Sequence, residues 1–363
     1  MFRREFWKNF DFWLIGAVLF LCVFGLIMIQ STIAENIELA NYMSRQATFL
    51  GIGIIVLVTV SLINYRYWKS FSRFLYIFIL AFLGIILIIG TTSFGAQRWL
   101  EVGLVNIQPA EIAKIVLILV LAHYFSSQAK KPKNIRWMGA SGLLVAGIVV
   151  PIYLQPNLST TILLVVIWFS MLWISGIPTK WVYIIALIGV IGAILLFPNL
   201  ETYQQDRILS FFNPDETASY GNDYNVQQAL ITIGSGGLLG QGYGSATQVQ
   251  LRFLKVRSTD FIFSAIAAEF GFVGTIVIMA ILIFIILRCI RAARIASDTY
   301  GSLIAYGFAT LIAFQTMVNI GVNLRVIPVT GQTLPFISYG GSSLLSLLLG
   351  IGLIESVLLH RKA

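Results

Sequence analysis

The stretch DFWLIGAVLFLCVFGLIMIQST, residues 11–32, decides the fold, because it carries no charged side chain after Asp11. A helix that crosses the hydrocarbon core of a bilayer needs about 20 such apolar residues. Similar runs recur along the chain of 363 residues, which is 58% hydrophobic and 11% charged, with a mean hydropathy of +0.87. A soluble domain carries roughly 25% charged residues. The sequence therefore predicts an all-α polytopic membrane protein.

Ten runs are apolar and long enough to be transmembrane helices. The predicted spans cover residues 11–32, 46–64, 72–91, 109–128, 137–154, 159–175, 181–198, 261–288, 302–323 and 338–358. A long connection of about 60 residues, 199–260, separates the seventh span from the eighth. We treat residues 1–363 as a single integral membrane domain with this one large loop.

The distribution of cations sets the orientation. The chain has 24 Lys and Arg residues against 15 Asp and Glu residues, a net charge of +9. In a ten-span arrangement most of the cations fall on one side, at both termini and in alternate connections. The positive-inside rule makes that side the cytoplasm. Both termini are then cytoplasmic and the long loop is extracytoplasmic, so the positive charge indicates topology and not nucleic-acid binding.

Several kinds of site are disfavoured. Cys22 and Cys289 are the only cysteines and His123 and His360 the only histidines, too few for a disulfide scaffold or a zinc or haem site. The glycine-rich stretch GSGGLLGQGYG, residues 234–244, is not followed by Lys-Ser or Lys-Thr, so it is not a nucleotide-binding P-loop. The long loop is either a flexible surface loop or an ordered cap or re-entrant segment over a cavity.

Charged residues at membrane depth are costly and mark a functional site or a structural ion pair. Glu111 and Lys114, in QPAEIAKIV at the start of the fourth span, are three residues apart and share a helical face. They form either a packing ion pair or the lining of a polar pocket near the outer leaflet.

Asp260, where the long loop meets the eighth span, is the best candidate for a catalytic carboxylate. It is either a helix cap or a proton acceptor, and it follows the cations Arg252, Lys255 and Arg257. Such cations suit a phosphate-bearing substrate. Glu269 lies nine residues further on, about 13 Å along a helix, and is interpreted as structural.

The stretch NIGVNLRVIPVTGQTLPFISYGGSS, residues 319–343, interrupts helical continuity before the last span with prolines and a Gly-Gly pair. Non-helical backbone near the membrane must be buried in protein or line a cavity. A simple loop is the alternative, but the density of helix breakers favours the wall of a site.

The sequence resembles the SEDS family of bacterial cell-wall polymerases, the RodA, FtsW and SpoVE group. The resemblance covers essentially the whole chain. It rests on RVIPVTGQTLPFISYGGSS, on TDFIF followed by AEFGFVG, on ALITIGSGGLLGQGYGSATQ, and on GAQRWL followed by QPAEIAK. It implies a ten-span glycosyltransferase that polymerises lipid II on the outer face of the cytoplasmic membrane, together with a class B penicillin-binding protein. The short N-terminal arm and the length favour the RodA type, which serves elongation, over the FtsW type, which serves division.

The resemblance also implies roles for individual residues. Asp260 corresponds to the essential aspartate, which we assign as general base of an inverting transfer that releases undecaprenyl diphosphate. The expected substrate-binding residues are Trp99, Glu111, Lys114, Gln227 and Ser235, with the diphosphate clamps drawn from Arg98, Arg207, Arg252, Lys255, Arg257 and Arg325. Arg45 matches a basic family position.

A divalent cation, Mg²⁺ or Mn²⁺, is a candidate addition, no residue is assigned as a metal ligand, and no nucleotide is expected. The sequence departs from the family pattern at four positions. Asn157 and Ser159 stand in QPNLS where the family has QPDLG, Ser258 precedes Thr259 where many members have histidine, and Gln332 replaces an aliphatic residue. The missing carboxylate at Asn157 puts a metal contribution from this loop in doubt.

The main alternative from another class is a flippase for lipid-linked oligosaccharides, or another secondary transporter, with which broken helices and an intramembrane ion pair are compatible. Transport needs polar residues through the inner half of the membrane, and the inner halves of the spans are nearly all apolar. A scaffold that recruits cell-wall enzymes without catalysis leaves the polar loop unexplained.

Overall fold

The computed structural model describes residues 9–33, 41–89, 91–93, 96–102, 105–130, 133–213 and 221–361. The helices, in chain order, are α1 (Phe12–Ile33), α2 (Asn41–Leu62), α3 (Arg66–Ile89), α4 (Pro109–Ser127), α5 (Ile135–Leu154), α6 (Leu158–Ile174), α7 (Thr179–Leu196), α8 (Thr202–Phe212), α9 (Gly221–Ser235), α10 (Thr247–Gln250), α11 (Ile262–Ile295), α12 (Thr299–Asn323) and α13 (Gly341–Leu359). A short 3₁₀ helix, Phe197–Asn199, follows α7.

The helices confirm a polytopic membrane protein. In the described part of the chain, nine helices are long and apolar enough to cross a membrane, and a shorter apolar helix, Leu158–Ile174, takes the sixth predicted position. The predicted boundaries differ most at α3, which begins at Arg66 and not at 72, and at α11, which continues to Ile295 and not to 288. Both extensions carry Arg or Lys residues. A span predicted from hydropathy stops at such residues, although the helix itself continues into the headgroup region.

A small sheet lies between α3 and α4, where the sequence predicted only a connection. Its antiparallel strands are β1 (Thr91–Ser93), β2 (Ala96–Val102) and β3 (Val105–Ile107), in the order β1-β2-β3. The short apolar-polar alternation in this stretch was obscured by the stronger helical signals on either side. The sheet is a local addition to an otherwise helical fold.

The core is formed by three central helices. Most residues of the apolar windows of α4, α12 and α13 are buried by other helices, whereas hardly any of α7 is buried. α7 therefore lies at the edge of the helical bundle. The long connection contains α8, α9 and α10, so much of it is helical.

The glycine-rich stretch packs backbone to backbone on α11. Gly271 breaks α11 with φ of +66°, which frees four main-chain groups around it. Each freed group forms a hydrogen bond with the main chain of the glycine-rich loop. Gln241 N donates to Ala268 O, Gly242 N to Glu269 O, Phe272 N to Gly237 O, and Val273 N to Leu238 O, at 2.9 to 3.1 Å. A side chain at Gly240 would collide with the Glu269 carbonyl. The glycines are needed because two backbones approach this closely.

At the opposite end of α11, an ionic cluster joins three helices. Asp11 caps α1 by accepting from Leu14 N at 3.0 Å, and its other oxygen accepts from Arg288 Nε at 2.7 Å. The Asp11 main-chain N–H donates to Glu355 of α13 at 3.1 Å. Asp11 and Glu355 are both buried. The cluster fixes the start of α1 against the ends of α11 and α13.

Candidate active site

The main chain of Asp260 is held by two asparagines of α12. Asn319 Nδ2 and Asn323 Nδ2 donate to the Asp260 carbonyl oxygen at 3.0 and 2.9 Å. The two residues are four apart and so lie on one face of the helix. Asn323 Oδ1 also accepts from the main chain and the hydroxyl of Ser264, at 3.1 and 2.6 Å. The first turn of α11 is thereby anchored, and Asp260 is positioned just before it.

The stretch before the last span forms a wall beside Asp260, as the helix breakers in the sequence indicated. Ser338 Oγ donates to Thr259 O at 2.7 Å, and Tyr339 N donates to Ser258 O at 2.9 Å. Asn319 Nδ2 donates to Gln332 O at 2.7 Å as well as to Asp260. Residues 319–343 therefore form hydrogen bonds with Asp260 and with the two residues that precede it.

The carboxylate of Asp260 is partly buried and forms no ion pair with any described residue. Arg207 of α8 is the cation whose charge acts on it, and Gly331 lies close to both groups. A Cβ atom placed on Gly331 would be 3.6 Å from Asp260 Oδ2 and 3.9 Å from Arg207 Nη1. The φ of Gly331 is +72°, which also favours glycine. A methyl group at this position would be in van der Waals contact with both the carboxylate and the guanidinium.

The surroundings raise the pKa of Asp260 from its ordinary value of 3.8 to about 6. Burial is the largest cause, because it disfavours the charged form. The positive charge of Arg207 and a hydrogen bond from Thr259 act in the opposite direction. The carboxylate is thus poised to accept a proton near neutral pH.

A shallow cleft of about 20 Å³ lies next to Arg207. Its lining residues are Arg207, Ser210, Phe211, Asp223, Val226, Arg325, Ile327, Pro328 and Val329. Arg207 lies over the ring of Tyr203 at 5.6 Å. Tyr203 Oη and Gln204 Nε2 donate to Pro156 O at 2.6 and 3.1 Å, which fixes α8 to the turn before α6. Two arginines from distant parts of the chain therefore face one cleft.

Backbone strain is concentrated around the site. Among the described residues, five other than glycine have positive φ, and apart from Pro156 at +20° these are Arg252 at +62°, Val256 at +52°, Arg325 at +55° and Phe336 at +66°. These last four have clearly left-handed backbone. All four lie in the segments that lead to Asp260 or form its wall. Such conformations cost about 1–3 kcal/mol each and are retained where the surrounding structure imposes them, as at active sites.

The cations that precede Asp260 in the sequence have different surroundings. Arg257 is buried and donates from Nε to Thr32 O at 2.5 Å and from Nη1 to Leu254 O at 3.4 Å. Burial and the charge of Arg252 lower the pKa of Arg257. Its guanidinium therefore connects the loop to α1. Lys255 lies over the Tyr224 ring at 5.6 Å, and Arg252 is exposed.

Glu111 and Lys114 form an ion pair, with 2.5 Å between Glu111 Oε2 and Lys114 Nζ. Both are buried, and Ser346 of α13 donates to Glu111 Oε2 at 3.2 Å. Ser343, one turn earlier in α13, is 3.2 Å from the Thr333 hydroxyl in the wall beside Asp260. These contacts favour the packing interpretation of the pair. The pair joins α4 to α13, and α13 in turn contacts the segment beside Asp260.

The other predicted substrate-binding residues are dispersed. Ser235 is exposed at the end of α9 and donates to Thr232 O at 2.7 Å, and Gln227 is partly buried in the middle of that helix. Arg45 is exposed on α2 and interacts with Tyr339. The backbone of Arg98 and Trp99 lies in β2, but their side chains are outside the described residues.

The departures from the family pattern have local roles. Asn157 Oδ1 accepts from Thr160 N at 3.3 Å and so caps α6, a role that asparagine and aspartate share. Ser159 Oγ donates to Thr330 O, and Gln332 Oε1 accepts from Gln315 Nε2 at 3.2 Å. Nothing in the sequence marks Gly331 as a site residue, because its closeness to Asp260 and Arg207 appears only in the folded chain.

The comparisons with known proteins cover nearly the whole chain. Residues 12–363 match the family model of FtsW, RodA and SpoVE, described as cell cycle proteins. The chain is 33% identical over 363 residues to the peptidoglycan glycosyltransferase MrdB of Escherichia coli K12, covering 99% of this chain and 97% of that protein.

Two solved structures share the fold. A chain of a peptidoglycan synthase complex, described as coordinating polymerization and crosslinking, has a TM-score of 0.81 at 27% identity, covering 96% of this chain and 97% of that one. The rod shape determining protein RodA of Thermus thermophilus has a TM-score of 0.74 at 28% identity, covering 98% and 99%.

Proposed function

Because the chain belongs to the FtsW, RodA and SpoVE family and is a peptidoglycan glycosyltransferase, we propose that it polymerises lipid II with Asp260 as the general base. The observation that carries the proposal is the Asp260 carboxylate. It is held through its main chain, forms no ion pair with described residues, and is acted on by the charge of Arg207. This arrangement leaves the carboxylate oxygens available to a substrate hydroxyl.

The proposed step is a single displacement. The 4-hydroxyl of the acceptor GlcNAc attacks the anomeric carbon of the donor MurNAc, and its proton moves to the Asp260 carboxylate. The new carbon–oxygen bond forms as the bond to the diphosphate oxygen breaks, which inverts the configuration. With a pKa of about 6, Asp260 is mostly ionised at pH 7. A base with a pKa near the working pH contributes about 10²–10⁴-fold to the rate.

The leaving group is undecaprenyl diphosphate, whose developing negative charge needs cations and not a general acid. Arg207 and Arg325 line the cleft beside Asp260 and are the best placed of the predicted clamps. A guanidinium binds phosphate oxygens in a bidentate manner. Lys255 and the exposed Arg252 approach from the same loop and are secondary candidates.

A divalent cation would find few protein ligands at this site. Among the described residues no group of three or more His, Cys, Asp or Glu side chains is placed to hold a metal ion. Position 157, where the family pattern has a carboxylate, carries the neutral cap Asn157. We therefore assign the neutralisation of the diphosphate to the arginines and derive no step through a metal.

The chain is a multi-pass membrane protein. The positive-inside pattern supports a location in the bacterial cytoplasmic membrane with both termini in the cytoplasm. Asp260 and the cleft are then on the outer face, where the growing glycan must emerge. A class B penicillin-binding protein is the proposed partner, supported by the similarity to a chain of a complex that coordinates polymerization and crosslinking. We propose a RodA-type role in elongation; relatives of the MrdB, SpoVE and FtsW types are equally similar to this chain, at 33–35% identity.

The test is polymerisation of fluorescent lipid II by the purified full-length protein, alone and with a co-purified class B penicillin-binding protein. Glycan strands resolved on a gel, at least in the presence of the partner, are the expected result. A parallel assay measures the movement of lipid II across vesicle membranes. Movement of lipid II with no strands under either condition would contradict the proposal and favour a flippase.

A further inference from the structure

A second charged cleft lies at the opposite end of α11 from Asp260, among the N-terminus of α1 and the C-terminal ends of α11 and α13. It has a volume of about 120 Å³. Its polar lining comes from Asn9, Asp11, Arg288, Arg291 and Arg361. The glycosyltransferase reaction proposed above makes no use of this cleft.

The charges of the cleft are only partly matched by the protein. Arg288 pairs with Asp11 at 2.5 Å, whereas Arg361 donates to the neutral Asn9 Oδ1 at 3.2 and 3.0 Å. Arg291 is exposed and forms no ion pair with a described residue. Even if Asp11 and the buried Glu355 are both ionised, three guanidinium groups leave one positive charge uncompensated. The cleft therefore favours an anion.

The cleft is built and not a chance meeting of surface side chains. Asp11 and Glu355 are buried, and together with Arg288 they fix the three helices relative to one another. One Glu355 oxygen, Oε1, has no hydrogen-bond partner among the described residues. Arg291 and Arg361 line the cleft beside this buried cluster.

Arginines at the ends of helices also offset the helix dipole, which is the simplest explanation for Arg291 and Arg361. A helix C-terminus carries about half a negative charge, and the α1 N-terminus contributes about half a positive charge here. The two C-terminal ends and one N-terminal end sum to about half a negative charge. This offsets only part of two arginines that have no carboxylate partner.

The surroundings of the cleft are those of the membrane interface. Phe10 lines it, and its ring is 4.8 Å from that of Phe12. Phe12 and Trp13, in the first turn of α1, have 64% and 76% of their surface exposed. Exposed aromatic rings at a helix end mark the headgroup level of a bilayer, and the cations place this end on the cytoplasmic side. An anion entering from the bilayer would meet both the apolar rim and the arginines.

We propose that this cleft binds the phosphate-bearing headgroup of an anionic phospholipid from the inner leaflet, with Arg291 and Arg361 as the phosphate ligands. Basic pockets between transmembrane helices on this side are suited to such headgroups. The acyl chains would lie along the exposed aromatic residues of α1. The bound lipid would bridge the ends of α11 and α13.

The test is native mass spectrometry of the full-length protein in detergent, titrated with phosphatidylglycerol or with phosphatidylcholine of the same chains. The wild-type protein should bind phosphatidylglycerol preferentially, and the double variant Arg291→Gln/Arg361→Gln should lose about tenfold in that preference. A matched variant, Arg136→Gln/Lys180→Gln, removes the same charge from exposed positions on the same side and should keep it. Each variant is first checked for monodispersity and an unchanged thermal midpoint.

Two further measurements distinguish a lipid headgroup from a soluble anion and test whether the planar guanidinium of Arg291 is needed. Excess inorganic phosphate should leave phosphatidylglycerol bound, and Arg291→Lys, which keeps the charge but not the planar guanidinium, should weaken binding less than Arg291→Gln. Displacement by inorganic phosphate would contradict a lipid site and indicate a site for a soluble anion. Equal losses in the cleft variant and the matched variant would reduce the effect to general surface charge and overturn the proposal.

Discussion

Two carboxylates of this protein, the buried Glu111 and the partly buried Asp260, are held in opposite ways. The side chain of Glu111 is neutralised by direct contact with Lys114 at 2.5 Å and accepts a further hydrogen bond from Ser346. Asp260 is held by its main chain, through Asn319 and Asn323, and its carboxylate forms no ion pair with the described residues. In the first case the charge serves packing. In the second, the surrounding side chains bond the main chain of Asp260, and its carboxylate remains available to a substrate.

The difference shows how a membrane protein keeps one carboxylate reactive. An ion pair satisfies a buried charge but occupies the oxygens that a substrate would need. The two asparagines bond the main chain of Asp260, and its carboxylate forms no ion pair with a described residue. The cost of this arrangement is a poorly solvated charge, seen in the raised pKa of Asp260.

The largest effect on stability should come from breaking the paired carboxylate. Glu111→Gln leaves the buried Lys114 charge uncompensated, and we expect a loss of about 3–5 kcal/mol of unfolding free energy. Thermal unfolding of the detergent-solubilised protein measures it. The double variant Glu111→Gln/Lys114→Met removes both charges and should recover most of the loss. If the double variant is no more stable than the single one, the pair is not what packs α4 against α13.

A smaller effect should follow from adding a methyl group beside the Asp260 carboxylate. Gly331→Ala places a methyl group in contact with Asp260 and Arg207, and we expect about a hundredfold loss of polymerisation rate. The positive φ should also cost about 1 kcal/mol of stability. Gly221→Ala is the matched control, because its φ is +85° with no atom near the added methyl group. It should show the stability loss with little change in rate, and equal rates in the two variants would remove Gly331 from the site.

The smallest effect concerns the charge of Arg207, which lowers the pKa of Asp260. A general base must be deprotonated in the free enzyme, so kcat/KM should fall as the pH drops through about 6, the pKa of Asp260. Arg207 lowers that pKa, so Arg207→Gln should move the midpoint to higher pH, by less than about one unit. Arg207→Lys should restore it. A midpoint that stays constant in Arg207→Gln would show that another group titrates.

The sequence was sufficient for much of the fold, because long apolar runs mark helices whatever their neighbours are. It also singled out Asp260 as a candidate catalytic carboxylate and residues 319–343 as the wall of a site, but it did not join the two. The extension of α3 to Arg66 and the break in α11 at Gly271 were not predicted. Hydropathy excludes charged helix ends, and a single glycine within an apolar helix carries no signal of a kink.

The arrangement of the cations could not be predicted, because it depends on contacts between distant segments. Arg207 and Arg325 are more than a hundred residues apart and share a cleft, whereas Arg257, only three residues before Asp260, is turned to the main chain of α1. Their distances from Asp260 along the chain give no guide to either result. Gly331 was missed for the same reason, since its closeness to Asp260 and Arg207 appears only in the folded chain.

The most direct test of the unpaired carboxylate is Asp260→Asn, assayed for lipid II polymerisation and for thermal stability at pH 7.5. Asp206→Asn, an exposed position beside Arg207, is the control for loss of one negative charge. The amide cannot accept the proton, so polymerisation should fall by about 10²–10⁴-fold. The thermal midpoint should be unchanged or higher, because the amide removes a poorly solvated charge worth up to about 3 kcal/mol at this pH. Glycan strands at the wild-type rate from Asp260→Asn would contradict the account.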